Sequence, residues 1–177
     1  MDEIYQPAED SYLLSKVLEN FLLKIDNRKL KVLEIGSGLG IQLLTLKKFG
    51  VKNILGVDIN KKAVQHCKKL GFNSSVSDLF EKVSGKYDVI IFNPPYLPED
   101  SREPEDSRIA TTGGKKGSEI INKFLKQAKN HLAKNGRIFL VTSSLTKGLD
   151  FSGYKKKKIG EEKLFFEELS VFEIIPL

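Results

Sequence analysis

The chain has 177 residues, 40% of them hydrophobic and 29% charged, with a formal net charge of +6. This length and ordinary composition predict one globular domain with a real core. No apolar run reaches membrane-spanning length, the acidic, mixed amino terminus is unlike a signal peptide, and Cys67, the lone cysteine, excludes both a disulfide and a cysteine zinc site.

A reducing, cytoplasmic setting is therefore expected, with no metal. The positive excess suits general solubility first, and an acidic partner or RNA-rich particle second. Only Arg28, Arg102, Arg108 and Arg137 are arginines; the other cations are lysines. Bidentate readers of phosphate and guanine favour arginine, so the count speaks against a dedicated nucleic-acid reader.

Residues 1–177 are read as a single domain, with 1–25 an amino-terminal segment and helix packed on the core. Residues 1–8 are extended. The apolar stripe Leu14, Val17, Leu18, Phe21, Leu22 and Ile25 predicts a helix over 9–24, capped by Asp10 or Ser11. Strands are expected at 31–35, 54–57, 72–76 (weak), 87–92 and 137–142. Helices are expected from the glycines to about Phe49, at 61–70, and from Ser118 to a stop at Asn135 and Gly136. The stretches 154–159 and 169–175 read as a hairpin closing the sheet, with Lys155 to Lys158 as a solvated run on it. Alternating strands and helices make this a doubly wound, Rossmann-like α/β sheet, mostly parallel, with an antiparallel terminal hairpin. Between the halves lies a long loop, 97–117, rich in proline and glycine. Loops this long in compact domains are commonly functional, so it is expected to be a substrate-side lid.

The chemistry concentrates where the buried run Tyr87 to Phe92 meets Asn93, Pro94, Pro95 and Tyr96. Two prolines cannot continue a strand, because neither has an N–H. The carbonyls of Asn93 and Pro94 then lack sheet partners and stand beside the Asn93 side-chain carbonyl. Paired acceptors match the two N–H groups of a planar NH2, found on a glutamine amide or a nucleobase. Holding both orients the nitrogen and favours the positive charge it develops as it attacks. Tyr96 supplies a flat apolar wall.

A second constellation runs along successive strand ends. Glu34 precedes the loop Gly36, Ser37, Gly38, Leu39, Gly40, where glycines allow positive φ and close backbone approach. The dinucleotide fingerprint counted from Gly36 would need glycine where Ile41 stands, which disfavours NAD. Asp58 is placed for two ribose hydroxyls, and Asp78 for an adenine amino group, with Leu79 against the ring. Ribose and adenine without pyrophosphate suit S-adenosylmethionine.

These residues together resemble a class I S-adenosylmethionine-dependent methyltransferase. The run from Tyr5 to Leu14 (YQPAEDSYLL) narrows the resemblance to the eukaryotic and archaeal branch of the HemK family, the release-factor glutamine methyltransferases. The similarity extends over nearly the whole chain, including Gly113 to Gly117 and Lys163 to Glu167. It implies N5-methylation of the glutamine in a Gly-Gly-Gln motif of a translation release factor. By position it implies cofactor contacts from Ser11, Glu34, Gly36, Gly38, Gly40, Asp58, Ile59, Asp78 and Leu79. Asn93 would join both sites, and Pro94, Pro95 and Tyr96 would hold the glutamine. It also implies a heterodimer with a small zinc-binding activator subunit. The bacterial pattern's separate amino-terminal helical domain is not seen, so substrate docking is expected to use the lid or the partner.

Three alternatives stand beside this reading. An N6-adenine DNA or RNA-base methyltransferase can hold a flipped base with the same tetrapeptide, but little chain remains for target recognition. A protein lysine methyltransferase would present a non-planar nucleophile, which fits paired acceptors less well. A silent cofactor-binding scaffold has no need of Asn93.

Overall fold

The computed structural model describes residues 4–99 and 111–177. The described residues build one seven-stranded sheet flanked by helices. In chain order the elements are α1 (Glu9–Leu22), β1 (Lys31–Ile35), α2 (Ile41–Lys48), β2 (Asn53–Asp58), α3 (Lys61–Lys69), β3 (Asn73–Val76), β4 (Tyr87–Phe92), α4 (Glu119–Ala128), β5 (Leu132–Ser143), β6 (Tyr154–Lys163) and β7 (Glu168–Pro176). The spatial order is β3-β2-β1-β4-β5-β7-β6. Strands β3 to β5 run parallel, and β7 pairs antiparallel with both β5 and β6. The expected sheet and hairpin are both present.

Period-two alternation decides which core each side chain joins. Leu33, Ile35, Ile90, Phe92, Ile138 and Leu140 face one side, where Ile121, Phe124, Leu125 and Ala128 of α4 pack on them. Val32, Val89, Ile91, Phe139 and Val141 face the other, against Leu13, Leu14, Val17, Leu18 and Leu22 of α1. Phe124 and Phe139 are among the largest fully buried side chains, one on each side. Each such burial is worth about 1.5–3 kcal/mol. The central strands are apolar on both faces for this reason, as parallel strands covered on both sides must be.

The outer strand β6 carries Lys155, Lys156, Lys157 and Lys158, all exposed. Lysines on an edge strand discourage pairing with another chain. Two of them have local partners. Lys156 lies over the rings of Phe151 and Phe172, and Lys158 pairs with Glu161 and Glu168.

Three sequence expectations need correction. Neither Asp10 nor Ser11 caps α1, because the helix starts at Glu9 with Ala8 as its N-cap and both lie within its first turn. Ser118 precedes α4 but makes no side-chain cap bond; its backbone is already helical (φ −104°, ψ −7°), whereas a capping residue is normally extended. That helix stops at Ala128, tightens into a 3-10 turn over Lys129–His131, and gives way to β5 at Leu132. Leu132 fits the helical period but belongs to the strand. Asn135 and Gly136 sit within β5 rather than at a helix end, with Asn135 in the left-handed region at φ 66°.

The expected lid over 97–117 falls partly, at 100–110, outside the described residues. Its two described ends are tied together. Leu97 N donates to Thr111 O at 2.9 Å, Gly113 N to Leu97 O at 2.9 Å, and Glu99 N to Gly114 O at 3.0 Å.

Candidate active site

Four parallel strands end side by side along one edge of the sheet, and a cavity of about 730 Å³ opens there. Its floor is the glycine loop after β1, the ends of β2 and β3, and the turn after β4. The start of α1 and the extended residues before it form one wall. Ser11, Glu34, Gly36, Gly38, Asp58, Ile59, Asp78, Leu79, Asn93, Pro94, Pro95 and Tyr96 all line this cavity. Gly40 does not. It precedes α2 at φ 77°, and a Cβ there would meet Cys67 Sγ at 3.3 Å and Leu70 at 3.6 Å. Its task is the turn and the packing behind it.

The glycine loop is pressed against the turn after β4. Gly36 has φ 67°, and a Cβ on it would sit 3.6 Å from the Phe92 ring and 3.9 Å from the Asn93 carbonyl. Gly38 N donates to Asp58 Oδ2 at 2.8 Å, and Asn60 N donates to Asp58 Oδ1 at 2.8 Å. These bonds set the carboxylate at the end of β2. Burial nevertheless pushes the Asp58 pKa up, against the lowering from its backbone donors.

Glu34 is buried, and its carboxyl is raised well above the usual range by desolvation and then by the nearby Asp58 charge. The Leu43 backbone N–H in the first turn of α2 offsets part of this. Glu34 Oε2 is shielded and has no hydrogen-bond partner among the described residues. A costly, unpartnered acceptor beside a second carboxyl needs a cation or a strong donor. At the end of β3, Leu79 is held at φ 47°, unusual for a branched apolar residue. Asp78 Oδ2 accepts from Lys123 Nζ at 2.7 Å, an exposed pair at the cavity rim. A cationic sulfonium ligand with a ribose diol and an adenine fits these donors and acceptors.

The turn after β4 is organised from a distance. Asp10 is 3% exposed. It accepts from Tyr5 Oη at 3.1 Å, from Tyr96 Oη at 3.2 Å and from Asn93 Nδ2 at 3.0 Å. A carboxylate can only accept, so the nitrogen of the Asn93 amide must face it. Asn93 Oδ1 is thereby left as the free end, buried and unpartnered among the described residues. No donor among those residues reaches the Pro94 carbonyl either. The Tyr96 carbonyl is taken by Thr146 Oγ1 at 2.8 Å. Burial, followed by the Asp10 charge, raises both the Tyr5 and the Tyr96 hydroxyl well above the ordinary tyrosine range, so both remain donors.

Gly113 and Gly117 support the turn from beneath. A Cβ on Gly113 would stand 2.5 Å from the Pro95 carbonyl, and one on Gly117 would collide with the Tyr96 carbonyl. Sequence reasoning gave Asp10 only a capping role and left Gly113 and Gly117 as loop residues. No local pattern marks Asp10, because Tyr96, which shares its carboxylate with Tyr5, lies 86 positions away.

The cavity is acidic although the chain is basic. Among the described residues its lining includes Glu9, Asp10, Glu34, Asp58, Asp78 and Glu167, against a single lysine, Lys123, which is paired with Asp78. Such a lining attracts positive charge and repels phosphate.

Comparison with known proteins follows the same lines. The methyltransferase small domain matches residues 11–150. A Methanocaldococcus jannaschii protein named for protein N5-glutamine methylation is 43% identical, covering 96% of this chain and 90% of that one. The eRF1 methyltransferase catalytic subunit of Schizosaccharomyces pombe is 27% identical, covering 97% of this chain and 89% of its own. Among solved structures, the Thermus thermophilus 16S rRNA N2 G1207 methyltransferase, in complex with AdoMet and guanosine, superposes with a TM-score of 0.66. It is 19% identical over 97% of this chain and 44% of that one, a likeness of fold.

Proposed function

The chain belongs to the methyltransferase small-domain family, among HemK-type relatives, and is an S-adenosylmethionine-dependent methyltransferase; from that premise we propose that it methylates the side-chain amide of the glutamine in a Gly-Gly-Gln motif of a translation release factor. The observation that carries the proposal is the orientation of Asn93. With Nδ2 held by Asp10, Oδ1 is left as a buried acceptor without a partner among the described residues, on a turn whose next residue, Pro94, also lines the cavity; in this reading Oδ1 and the Pro94 carbonyl serve as two acceptors for one planar NH2. The relatives named for glutamine and eRF1 methylation support the same substrate. Among the described residues the lining offers phosphate no cation except Lys123, which is already paired with Asp78, and this supports a neutral amide over a nucleic acid.

In this reading Glu34 and Asp58 hold the charged and ribose parts of the cofactor, Asp78 and Leu79 its adenine, and Ser11, Gly36, Gly38 and Ile59 its flanks. When bound, S-adenosylmethionine supplies a methyl group already activated on sulfur. Asn93 Oδ1 and the Pro94 carbonyl accept the two amide hydrogens and fix the plane of the nitrogen. Their hydrogen bonds strengthen as positive charge develops there, which favours the transition state over the ground state. Asp10 keeps Asn93 and Tyr96 in register, and its charge adds to the field that stabilises the cationic nitrogen. No side chain serves as general base in this reading; after transfer the cationic nitrogen loses one proton to water.

A small zinc-binding activator subunit belongs to this proposal. The fission-yeast relative is named as a catalytic subunit, which supports a second chain. The four-residue β3 lies at one end of the sheet, with an unpaired edge where a partner can add.

Labelled methyl transfer tests the substrate. The chain, alone and with the activator, is offered a release factor, the same protein with the motif glutamine changed, DNA and RNA. Label is expected only on the unchanged release factor, with the added mass on the glutamine amide. Label on either nucleic acid, or on the glutamine-less protein, overturns the reading.

A further inference from the structure

The turn between β6 and β7 presents Phe165 and Phe166 side by side, 94% and 84% exposed. Their rings meet edge to face, with centroids 4.8 Å apart. No other large apolar side chain among the described residues is as exposed. Scattered exposed apolar residues are ordinary, but two adjacent aromatics at a turn tip are not.

The turn is anchored on both sides. Leu164 N donates to Glu167 O at 2.8 Å, and Glu168 N to Ser144 Oγ at 3.0 Å. Ser143 Oγ donates to the Glu167 carboxylate. Leu164 packs on the core beside α1. The aromatic pair therefore projects from a supported base. That base belongs to the catalytic cavity, because Leu164 and Glu167, the residues on either side of the pair, both line it.

We propose that Phe165 and Phe166 form a docking prong for the folded body of the protein substrate, seated in an apolar depression beside the target glutamine. The inference rests on the substrate reading above. A glutamine side chain is short, so its backbone must lie across the cavity mouth while the amide reaches Asn93. The two glycines of the motif offer no side chains to recognise. Specificity must then come from surfaces outside the motif, and this prong is continuous with the rim over which the substrate body passes. Adjacent aromatics with few rotatable bonds are well suited to anchor such a contact.

The test is the double variant Phe165→Ser, Phe166→Ser in the full chain, with the activator present. It is assayed on the intact release factor and on a short peptide bearing the Gly-Gly-Gln motif. KM for the protein is expected to rise roughly tenfold or more, with kcat and peptide kcat/KM changed by less than about twofold. Phe165→Leu, Phe166→Leu should recover most of the protein KM. A protein KM within about twofold of wild type overturns the proposal, as does an equal loss on both substrates, which would mean that the turn shapes the cavity itself. An unchanged protein KM with loss of self-association, or of binding to anionic vesicles, overturns it and assigns the pair to that surface. A wild-type chain that methylates neither substrate overturns the substrate reading itself, and does so before any variant is made.

Discussion

Asn93 Nδ2 donates to Asp10 Oδ2 at 3.0 Å, across 83 positions of sequence. One bond ties the first turn of α1 to the turn after β4 and decides which end of the Asn93 amide is free. Because the same carboxylate also accepts from Tyr5 and Tyr96, the extended amino-terminal residues, the helix and the Asn93–Tyr96 turn are held as one unit.

Asn93→Ala should abolish most turnover while sparing cofactor binding. The variant loses the free acceptor, so one substrate N–H is unpaired and the amide plane can rotate. Loss of one preorganised polar contact costs about 100- to 1,000-fold in kcat. Single-turnover methylation by cofactor-saturated protein measures this. A rate within about threefold of wild type would remove Asn93 from the reaction.

Asp10→Ala should separate orientation from contact. It frees Asn93 Nδ2 and two tyrosine hydroxyls in a buried place, which costs roughly 1–3 kcal/mol of stability per unpaired group. Turnover should fall about tenfold to a hundredfold, because Asn93 can present the wrong end of its amide. Cofactor affinity, carried by other residues, should hold. If Asp10→Ala only lowers the melting temperature and leaves kcat at the permissive temperature unchanged, Asp10 is a structural tie alone.

The strands, the glycine loop and the acids at strand ends were legible because each obeys a local rule. Short, largely apolar runs mark Val32 to Ile35 and Val89 to Phe92 as buried strands. Asp58 and Asp78 follow strands, where ligand sites of open α/β sheets lie. Asp10 was not legible, since nothing within a few residues of it shows that Tyr5 and Tyr96 converge on one carboxylate. The end of α4 misled for a different reason. Leu132 satisfies the helical spacing from Phe124 and Ala128, but tertiary pairing with Tyr87 draws it into β5. Gly40 was grouped with its neighbours by spacing, although packing against Cys67 takes it out of the cavity.

Glu34→Gln should trade cofactor affinity for stability. Glu34 binds its proton more tightly folded than unfolded, since burial, and then the nearby Asp58 charge, raise its carboxyl well above the ordinary 4.5. Between that ordinary value and its folded value, the folded chain therefore holds more protons than the unfolded one. Stability of the cofactor-free chain falls as pH rises through this window and remains lower above it. Glutamine keeps an acceptor for the Leu43 N–H but carries no charge to desolvate. The variant should melt higher than wild type at neutral pH, with a flatter pH dependence, while S-adenosylmethionine affinity drops by roughly one to two decades. In the wild type, affinity should rise with pH, and calorimetry in buffers of different ionisation enthalpy should show proton release on binding. Equal affinities for the two proteins would exclude Glu34 from the cofactor site.

Gly113→Ala tests whether the turn that carries Asn93 is positioned from below. Its Cβ would collide with the Gly117 carbonyl and also stand 2.5 Å from the Pro95 carbonyl, both backbone atoms that cannot rotate away. Either the Asn93–Tyr96 turn or the segment bearing Gly113 must move. Overpacking of this kind costs about 1–3 kcal/mol. Gly50→Ala provides the comparison: φ is 83° there, but a Cβ would meet nothing within 4 Å, so only backbone strain of about 1 kcal/mol is added. Both variants should melt a few degrees lower, since about 1 kcal/mol shifts a domain of this size by roughly 2–4 °C. Only Gly113→Ala should also lose turnover, by about tenfold or more, because a displacement of the acceptor pair near 1 Å misaligns the amide nitrogen. Full kcat in Gly113→Ala at a temperature where it is folded would mean that the turn holds its shape without this contact, and that the close packing of Gly113 serves the fold alone.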